Sequence, residues 1–392
     1  MAYRGGLLRS SSRLLRRAFS LARIICARVR THANRLVNVL AKGVVVVPHT
    51  TRWTGPWLGA TRRPSLQRVA NRPIICHVLD ALLEAGAVEV AVIAPPDATD
   101  EIAACISSEG PSGIAVRHIV NDQHGGRDDA LLAAAEFVGD APCILHRANG
   151  VLGQPLLPYV DLLGEDAMDV LLLVDDSGRD GKRLRLVSQR LPGPSAVDAA
   201  SATAGFAGVC LLGPGVLSRL PNPERSAQLH NFAALAEQLA RDGRQTHVRV
   251  ARRWHHFAGD ALDLLDMNRT MLDALGSEMT ASADDGNRFE GAIAIHPTAC
   301  VTSSVIIGPV MIGADALVAD SYIGPHTSIG ERVRIEGAEL ERSIVLADAS
   351  VLHVGGRLVA SVVGRHARVF RDFSMPRALR LQVGDGDEVA LC

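Results

Sequence analysis

From residue 43 to residue 275, short apolar runs alternate with stretches of helical period. Val44-Val45-Val46-Val47 is a run of four β-branched residues, as expected of a buried parallel strand. Ile74 to Ala85 repeats apolar side chains at helical spacing and stops at Gly86, which predicts a helix. Val88 to Ala94 predicts the next strand, ended by Pro95-Pro96. The alternation continues with a helix over Asp100 to Ser107, a strand over Ile114 to Val120, a helix over Asp128 to Phe137 and a strand over Pro142 to His146. Further strands are predicted over Val170 to Val174, Leu184 to Val187 and Gly208 to Leu212, and helices over Phe232 to Arg241 and Leu262 to Leu275. Strands alternating with helices predict a Rossmann-like α/β domain with a mainly parallel sheet and right-handed crossovers.

Beyond a polar stretch around Asp284-Asp285-Gly286-Asn287 the period changes. Aliphatic residues recur at Ile295, Val301, Ile307, Ile312, Val318, Ile323, Ile329 and Ile335, with steps of 6, 6, 5, 6, 5, 6 and 6. Near-six spacing with interspersed glycines is the hexapeptide pattern of a parallel β-helix, in which each hexad forms one flat face and its aliphatic points into a triangular prism. The expected domains are a basic extension over 1–40, an α/β domain over 41–276, a linker over 277–291 and a left-handed β-helix over 292–392.

Charge sharpens this division. The chain has 392 residues and a formal net charge of -1, yet residues 1–42 carry ten basic groups and no acid. The remainder therefore holds 31 basic against 42 acidic side chains. The extension reads as an upstream segment outside the mature protein, a helix for phosphate or anionic lipid, or an organellar transit peptide. Lys42 and Lys182 are the only lysines. Aromatics at 4% argue against a base-stacking nucleic-acid platform. No apolar run is long enough to span a bilayer. The seven cysteines show neither a CxxC pair nor zinc-finger spacing, which suits reduced thiols and a cytoplasmic location.

Several stretches carry a resemblance: Val69-Ala70-Asn71-Arg72-Pro73-Ile74 with the LDALLEAG that follows, Leu264-Leu265-Asp266-Met267-Asn268-Arg269, Ser321-Tyr322-Ile323-Gly324-Pro325-His326-Thr327-Ser328-Ile329-Gly330, and the tail Leu381-Gln382-Val383-Gly384-Asp385-Gly386-Asp387. The chain resembles the nucleotide-sugar pyrophosphorylase family, and within it the long-form glucose-1-phosphate thymidylyltransferases, over residues 41–392.

The resemblance implies a set of site residues, many of them substituted. The family's glycine-rich phosphate loop corresponds to Val45-Val46-Val47-Pro48-His49-Thr50-Thr51-Arg52-Trp53. Pro48 removes an N–H donor and Thr50 restricts the backbone, while Thr51 and Arg52 fit. Arg63, before Pro64, stands where the family has a phosphate-holding Lys, and Gln123 and Gly126 match its base-reading stretch. Val47, Thr51, Arg52, Gln123 and Gly126 are therefore the implied nucleotide contacts, with Arg52 and Arg63 as the implied catalytic cations. On the sugar-phosphate side the resemblance implies Asn149, Arg190 and Gly205. The two Mg²⁺-binding Asp positions correspond to Asn149 and His256, and hard Mg²⁺ favours anionic oxygen. No intact metal site is expected, and Mg²⁺ enters only if the protein is active, with Asp260 as a substitute ligand.

Retained framework with substituted chemistry implies a diverged relative with impaired or lost pyrophosphorylase activity that binds a nucleotide or sugar nucleotide. It would act as a homo-oligomer or as a hetero-oligomer with an active relative. One alternative is an active sugar-1-phosphate or cyclitol-phosphate nucleotidyltransferase releasing pyrophosphate. A second is a β-helix acyltransferase using one of His296, His326, His353 or His366.

Overall fold

The computed structural model describes residues 41–48, 63–121, 129–165, 168–175, 205–219, 232–275 and 286–372. The chain separates into Met1–Leu40 and Ala41–Cys392, and the first of these lies outside the described residues.

In chain order the α/β part contains β1 (Lys42–Val46), a 3-10 turn (Pro64–Leu66), β2 (Arg68–Val69), β3 (Arg72–Pro73), α1 (Ile74–Glu84), β4 (Glu89–Ala94), α2 (Thr99–Glu109), β5 (Ala115–Val120) and α3 (Asp129–Val138). It continues with β6 (Cys143–Arg147), β7 (Gly150–Leu152), α4 (Leu157–Glu165), β8 (Val170–Asp175), β9 (Gly205–Leu212), α5 (Phe232–Arg241), β10 (Thr246–Ala251), β11 (Trp254–His256) and α6 (Ala261–Asp273). Seven strands form one sheet in the order β10-β8-β9-β6-β1-β4-β5. All its pairings are parallel except those of β9 with β6 and β8.

The run Val44 to Val47 is apolar throughout because the sheet is covered on both faces. Val45 and Val47 pack with Ile75, Leu79 and Leu82 of α1 and Ile102 of α2. Val44 and Val46 pack with Ala134 and Val138 on α3 and Phe232 and Leu235 on α5. The short ribbon β7–β11 and the helix α4 lie outside the predicted elements. Three-residue strands are too short to show a period. Strand β10 was also not predicted. The predicted strand over Leu184 to Val187 lies outside the described residues.

From residue 288 the chain winds as a left-handed parallel β-helix. Its strands are β12 (Arg288–Glu290), β13 (Ile293–Ile295), β14 (Cys300–Thr302), β15 (Val305–Ile307), β16 (Val310–Ile312), β17 (Leu317–Ala319), β18 (Tyr322–Ile323) and β19 (Thr327–Ile329). They continue as β20 (Arg334–Glu336), β21 (Glu339–Glu341), β22 (Ile344–Val345), β23 (Ser350–Leu352), β24 (Arg357–Val359), β25 (Val362–Val363) and β26 (Arg368–Phe370). Every third strand stacks in parallel, giving three five-stranded sheets. β12 falls inside the stretch expected to be linker and already pairs with β15.

Ile312, Val318, Ile323, Ile329 and Ile335 point into the prism as expected. Ile307 does not. Its neighbour Ile306 is fully buried and stacks on Ile323, which in turn stacks on Leu340. In Val305-Ile306-Ile307 both candidates are isoleucine, so the pattern could not fix the phase, and a one-residue slip exchanges the faces of a strand. Ile295 and Val301, in the first coil, pack against this core but are only partly buried.

Three of the stretches that carry the resemblance meet where the α/β part joins the β-helix. Asn268 on α6 is fully buried. Its Oδ1 accepts from the Ala70 N–H at 2.8 Å and the Ser328 hydroxyl at 2.9 Å, and its Nδ2 donates to the His326 carbonyl at 3.0 Å. Asn71 Nδ2 donates to the Ile329 carbonyl at 2.7 Å. The His326 ring nitrogen Nε2 lies 2.9 Å from Asp273 Oδ1. The signature around Asn71, Asn268 and Ser328 is thus a set of joints between the two parts.

Candidate functional site

In an open α/β sheet, ligands bind beyond the carboxyl ends of the strands, where the strand order reverses. Here β4 and β5 lie to one side of β1 and β6 to the other, so the reversal falls between β1 and β6. Several of the residues singled out from sequence stand on that edge.

Val47 follows β1 and is buried, with its N–H donated to the Ile93 carbonyl at 2.9 Å. That donor is spent within the sheet and is not free to hold a phosphate. On the other side of the crevice, the Ala148 N–H donates to the Val46 carbonyl at 2.9 Å, which turns the chain from β6 toward Asn149. The ribbon then forms: His256 pairs with Gly150 and Trp254 with Leu152, and the Phe257 N–H donates to the Asn149 carbonyl at 2.8 Å. Asn149 and His256, far apart in sequence, are thereby neighbours at one end of the ribbon. Gly205 opens β9 opposite Asp175, on the same edge.

Trp254 anchors the ribbon. A Cβ on Gly150 would lie 2.5 Å from its ring, and one on Gly208, which has φ +59°, would lie 2.4 Å from it. Only glycine permits both this approach and that backbone angle. The Trp254 ring also packs at 5.7 Å, tilted 59°, against the imidazole of His146. The sequence marks His146 only as the end of a strand. It is fully buried, and its Nδ1 lies 2.7 Å from the Arg147 carbonyl. A carbonyl only accepts, so Nδ1 carries the proton and Nε2 presents a bare lone pair. That Nε2 is buried with no partner, as is the side-chain oxygen of Asn149. Burial pushes the His146 pKa down to about 4, which keeps the ring neutral. Two buried acceptors without donors, at the turn after β6, are an unusual concentration of unmet polarity.

Arg63 also reaches this edge, on the β4 side, but it is already engaged. Its Nε donates to Glu101 at 2.7 Å, and Nη2 contacts the Asp97 carboxylate at 3.3 Å and the Asp97 carbonyl. Two acidic partners account for its charge. Asp260 serves as the N-cap of α6: it accepts from the Leu262 N–H at 3.1 Å and forms a capping box with Asp263. Thr51, Arg52, Gln123, Gly126 and Arg190 lie outside the described residues.

The donor set can be tested against Mg²⁺. The two candidate ligand positions offer one neutral amide and one imidazole, whereas Mg²⁺ calls for carboxylate oxygens in a near-octahedral shell. The pair does not fit the ion.

A mainly parallel sheet followed by a hexapeptide β-helix is the architecture that the resemblance to nucleotide-sugar pyrophosphorylases implies. Comparison with known proteins agrees. The chain is 27% identical over 350 residues to a glucose-1-phosphate thymidylyltransferase of Streptomyces antibioticus, covering 84% of this chain and 94% of that protein. It is 27% identical over 349 residues to the enzyme of the same name from Streptomyces griseus, covering 83% and 92%. It is 25% identical over 342 residues to the low-salt glycan biosynthesis nucleotidyltransferase Agl11 of Haloferax volcanii, covering 82% and 92%. No family model matches the chain. The chain resembles the nucleotide-sugar pyrophosphorylase family along most of its length, and within it the glucose-1-phosphate thymidylyltransferases.

Proposed function

We propose that this nucleotidyltransferase-type protein binds a nucleotide or sugar nucleotide at the carboxyl edge of its sheet and has impaired or lost pyrophosphorylase activity. The observation that carries this reading is the pair Asn149 and His256. The ribbon brings their backbones to one end, and the resemblance implies two metal-binding aspartates at these positions. In the family's reaction a divalent ion neutralises charge as the sugar phosphate displaces pyrophosphate. Neither side chain here supplies the negative charge to hold that ion. The ion pairs of Arg63 point the same way, since its charge is turned toward α2.

What remains suits binding. The unpartnered acceptors on Asn149 and His146 favour a ligand rich in hydroxyl or N–H donors, as a sugar or a base is. The test is pyrophosphate release from dTTP and glucose 1-phosphate in Mg²⁺, alongside thermal shifts over a panel of nucleotides and sugar nucleotides. Stabilisation by one ligand with no need for Mg²⁺, and negligible pyrophosphate, is the expected pair of results. Turnover at an ordinary enzymatic rate overturns the proposal.

A further inference from the structure

Helix α6 is packed between two regions far apart in sequence. Toward the sheet, its Leu264 and Met267 share one core with Val151 and Trp254 of the ribbon. Gly153, just past β7, lies against the same helix: a Cβ there would meet the Thr270 methyl at 2.7 Å and the Arg253 Cβ at 2.9 Å. The Gly153 N–H donates to the Arg253 carbonyl at 3.0 Å, which closes the ribbon at that end. Toward the β-helix, Asn268 donates to the His326 carbonyl, and Asp273 meets the His326 ring.

Asp273 is where the two sides come together. It is the last residue of α6, where the negative end of the helix dipole disfavours a carboxylate. Nitrogen donors reach it from both directions. His326 Nε2, on a β-helix corner, lies 2.9 Å from one carboxylate oxygen, and Arg253 Nη1, at the start of the ribbon, lies 3.9 Å from the other. The backbone shows the same convergence. Outside the β-helix, the described non-glycine residues with a left-handed φ are Ala70 at 45°, Asn71 at 60° and Arg253 at 60°. Each is tied to α6 or to the β-helix strand beside it: Ala70 to Asn268, Asn71 to Ile329 and Arg253 to Asp273. Such backbone angles cost energy and persist only where the surroundings over-determine them.

We propose, resting on the reading that a nucleotide or sugar nucleotide binds at the sheet edge, that Asp273 and His326 are positioning residues for that edge. The β-helix, acting through α6 and Arg253, holds the ribbon in its binding posture. An isolated exposed ion pair contributes little. The Arg253 contact does not act alone, because the Arg253 carbonyl, the Gly153 wedge and the packing of Trp254 belong to the same turn of chain. Loss of the His326 ring leaves Asp273 at a helix end that disfavours it, with one partner at 3.9 Å. Asp273 then turns to solvent and Arg253 loses its partner. The left-handed turn at residue 253 relaxes, and Trp254, the next residue, loosens over Gly150 and Gly208.

The test reads Trp254 directly. Trp53→Phe and Trp57→Phe leave it as the single tryptophan of the full chain, and its ring is 4% exposed, so acrylamide quenching reports the closure of the ribbon. In that parent, His326→Ala and Asp273→Ala should each about double the quenching constant, and the double variant should add nothing, because both remove one contact. His326→Gln, whose amide still donates to Asp273, should restore most of the parent value. Arg357→Ala breaks ion pairs to Glu339 and Glu341 on another face of the β-helix and should change nothing. With native tryptophans, dTTP or dTDP-glucose should bind His326→Ala about fivefold more weakly than the wild type. Asp273→Ala, on a different element, decides the matter if His326→Ala fails to fold. Quenching equal to the parent in these variants overturns the proposal, as does raised quenching with unchanged affinity. If the wild type binds neither probe while quenching rises as stated, the hold of the β-helix on the ribbon stands and the binding reading is what fails.

Discussion

Two asparagines show how the two functional regions of this molecule differ. Asn268, at the joint with the β-helix, spends its side-chain oxygen on Ala70 and Ser328 and its nitrogen on His326. Asn149, at the sheet edge, has a side-chain oxygen equally removed from water and no partner for it. A buried polar group that is satisfied stabilises modestly, and one left unmet costs about 1–3 kcal/mol. The joint is therefore a finished structural device. The edge carries polarity that the protein alone does not use, which is the feature the proposed ligand would meet.

The largest effect is expected from breaking the finished side. Asn268→Ala strands the Ala70 N–H, the Ser328 hydroxyl and the His326 carbonyl in a dry interface, at a cost of about 4 kcal/mol. Urea unfolding should show it, and the transition should broaden as the α/β part and the β-helix come apart. A loss below about 1 kcal/mol would deny Asn268 its role as a joint.

Next comes the anchor of the edge. Gly208→Ala drives a Cβ to 2.4 Å from the Trp254 ring at a φ of +59°. The expected cost is about 3 kcal/mol, read as a lowered melting temperature. An unchanged melting temperature would show that the ribbon is not held by this packing.

The third effect uses His146. Its pKa is held near 4, below the ordinary 6.5, so the unfolded chain binds a proton that the folded chain refuses. Stability is fully present above pH 6.5 and is lost as the pH falls from there toward about 4. The full span is about 3 kcal/mol. Replacing the ring by His146→Leu should flatten the slope in that window while changing stability at pH 8 by no more than about 1 kcal/mol, because an unpartnered acceptor is removed with it. An unaltered slope would place the titration elsewhere.

The smallest effect concerns the ion. Wild type should show no Mg²⁺-dependent change in melting temperature, whereas the double substitution Asn149→Asp and His256→Asp should gain a few degrees with Mg²⁺, about 1–2 kcal/mol. A clear Mg²⁺ shift in the wild type would contradict the mismatch between its donors and the ion.

Much of the framework was legible without coordinates. β1 and β4 announced themselves as apolar runs because their sheet is covered on both faces, and α1 by its spacing and the glycine after it. The prism core from Ile312 to Ile335 followed from its step of five and six. Legibility failed where two answers had the same chemistry, as at Ile306 and Ile307, or where an element was too short for a period, as in β7 and β11. The candidate site was half legible. Resemblance pointed to Asn149 and His256, but nothing in the sequence marked His146 as buried, neutral and unpartnered, or Arg63 as already paired with Asp97 and Glu101.

By itself the sequence determined the alternation of strand and helix, the change to a hexapeptide period, and the neutral amide and the imidazole at positions 149 and 256. These are local properties, carried by the periodicity of apolar residues and the identity of single residues. The tertiary structure decided what distant residues do together. It made Asn71, Asn268 and Ser328 one joint and brought the backbones of Asn149 and His256 to one end of a ribbon. The physical reason is that burial, hydrogen-bond satisfaction and proton affinity depend on neighbours in space, and only the folded chain assigns those neighbours.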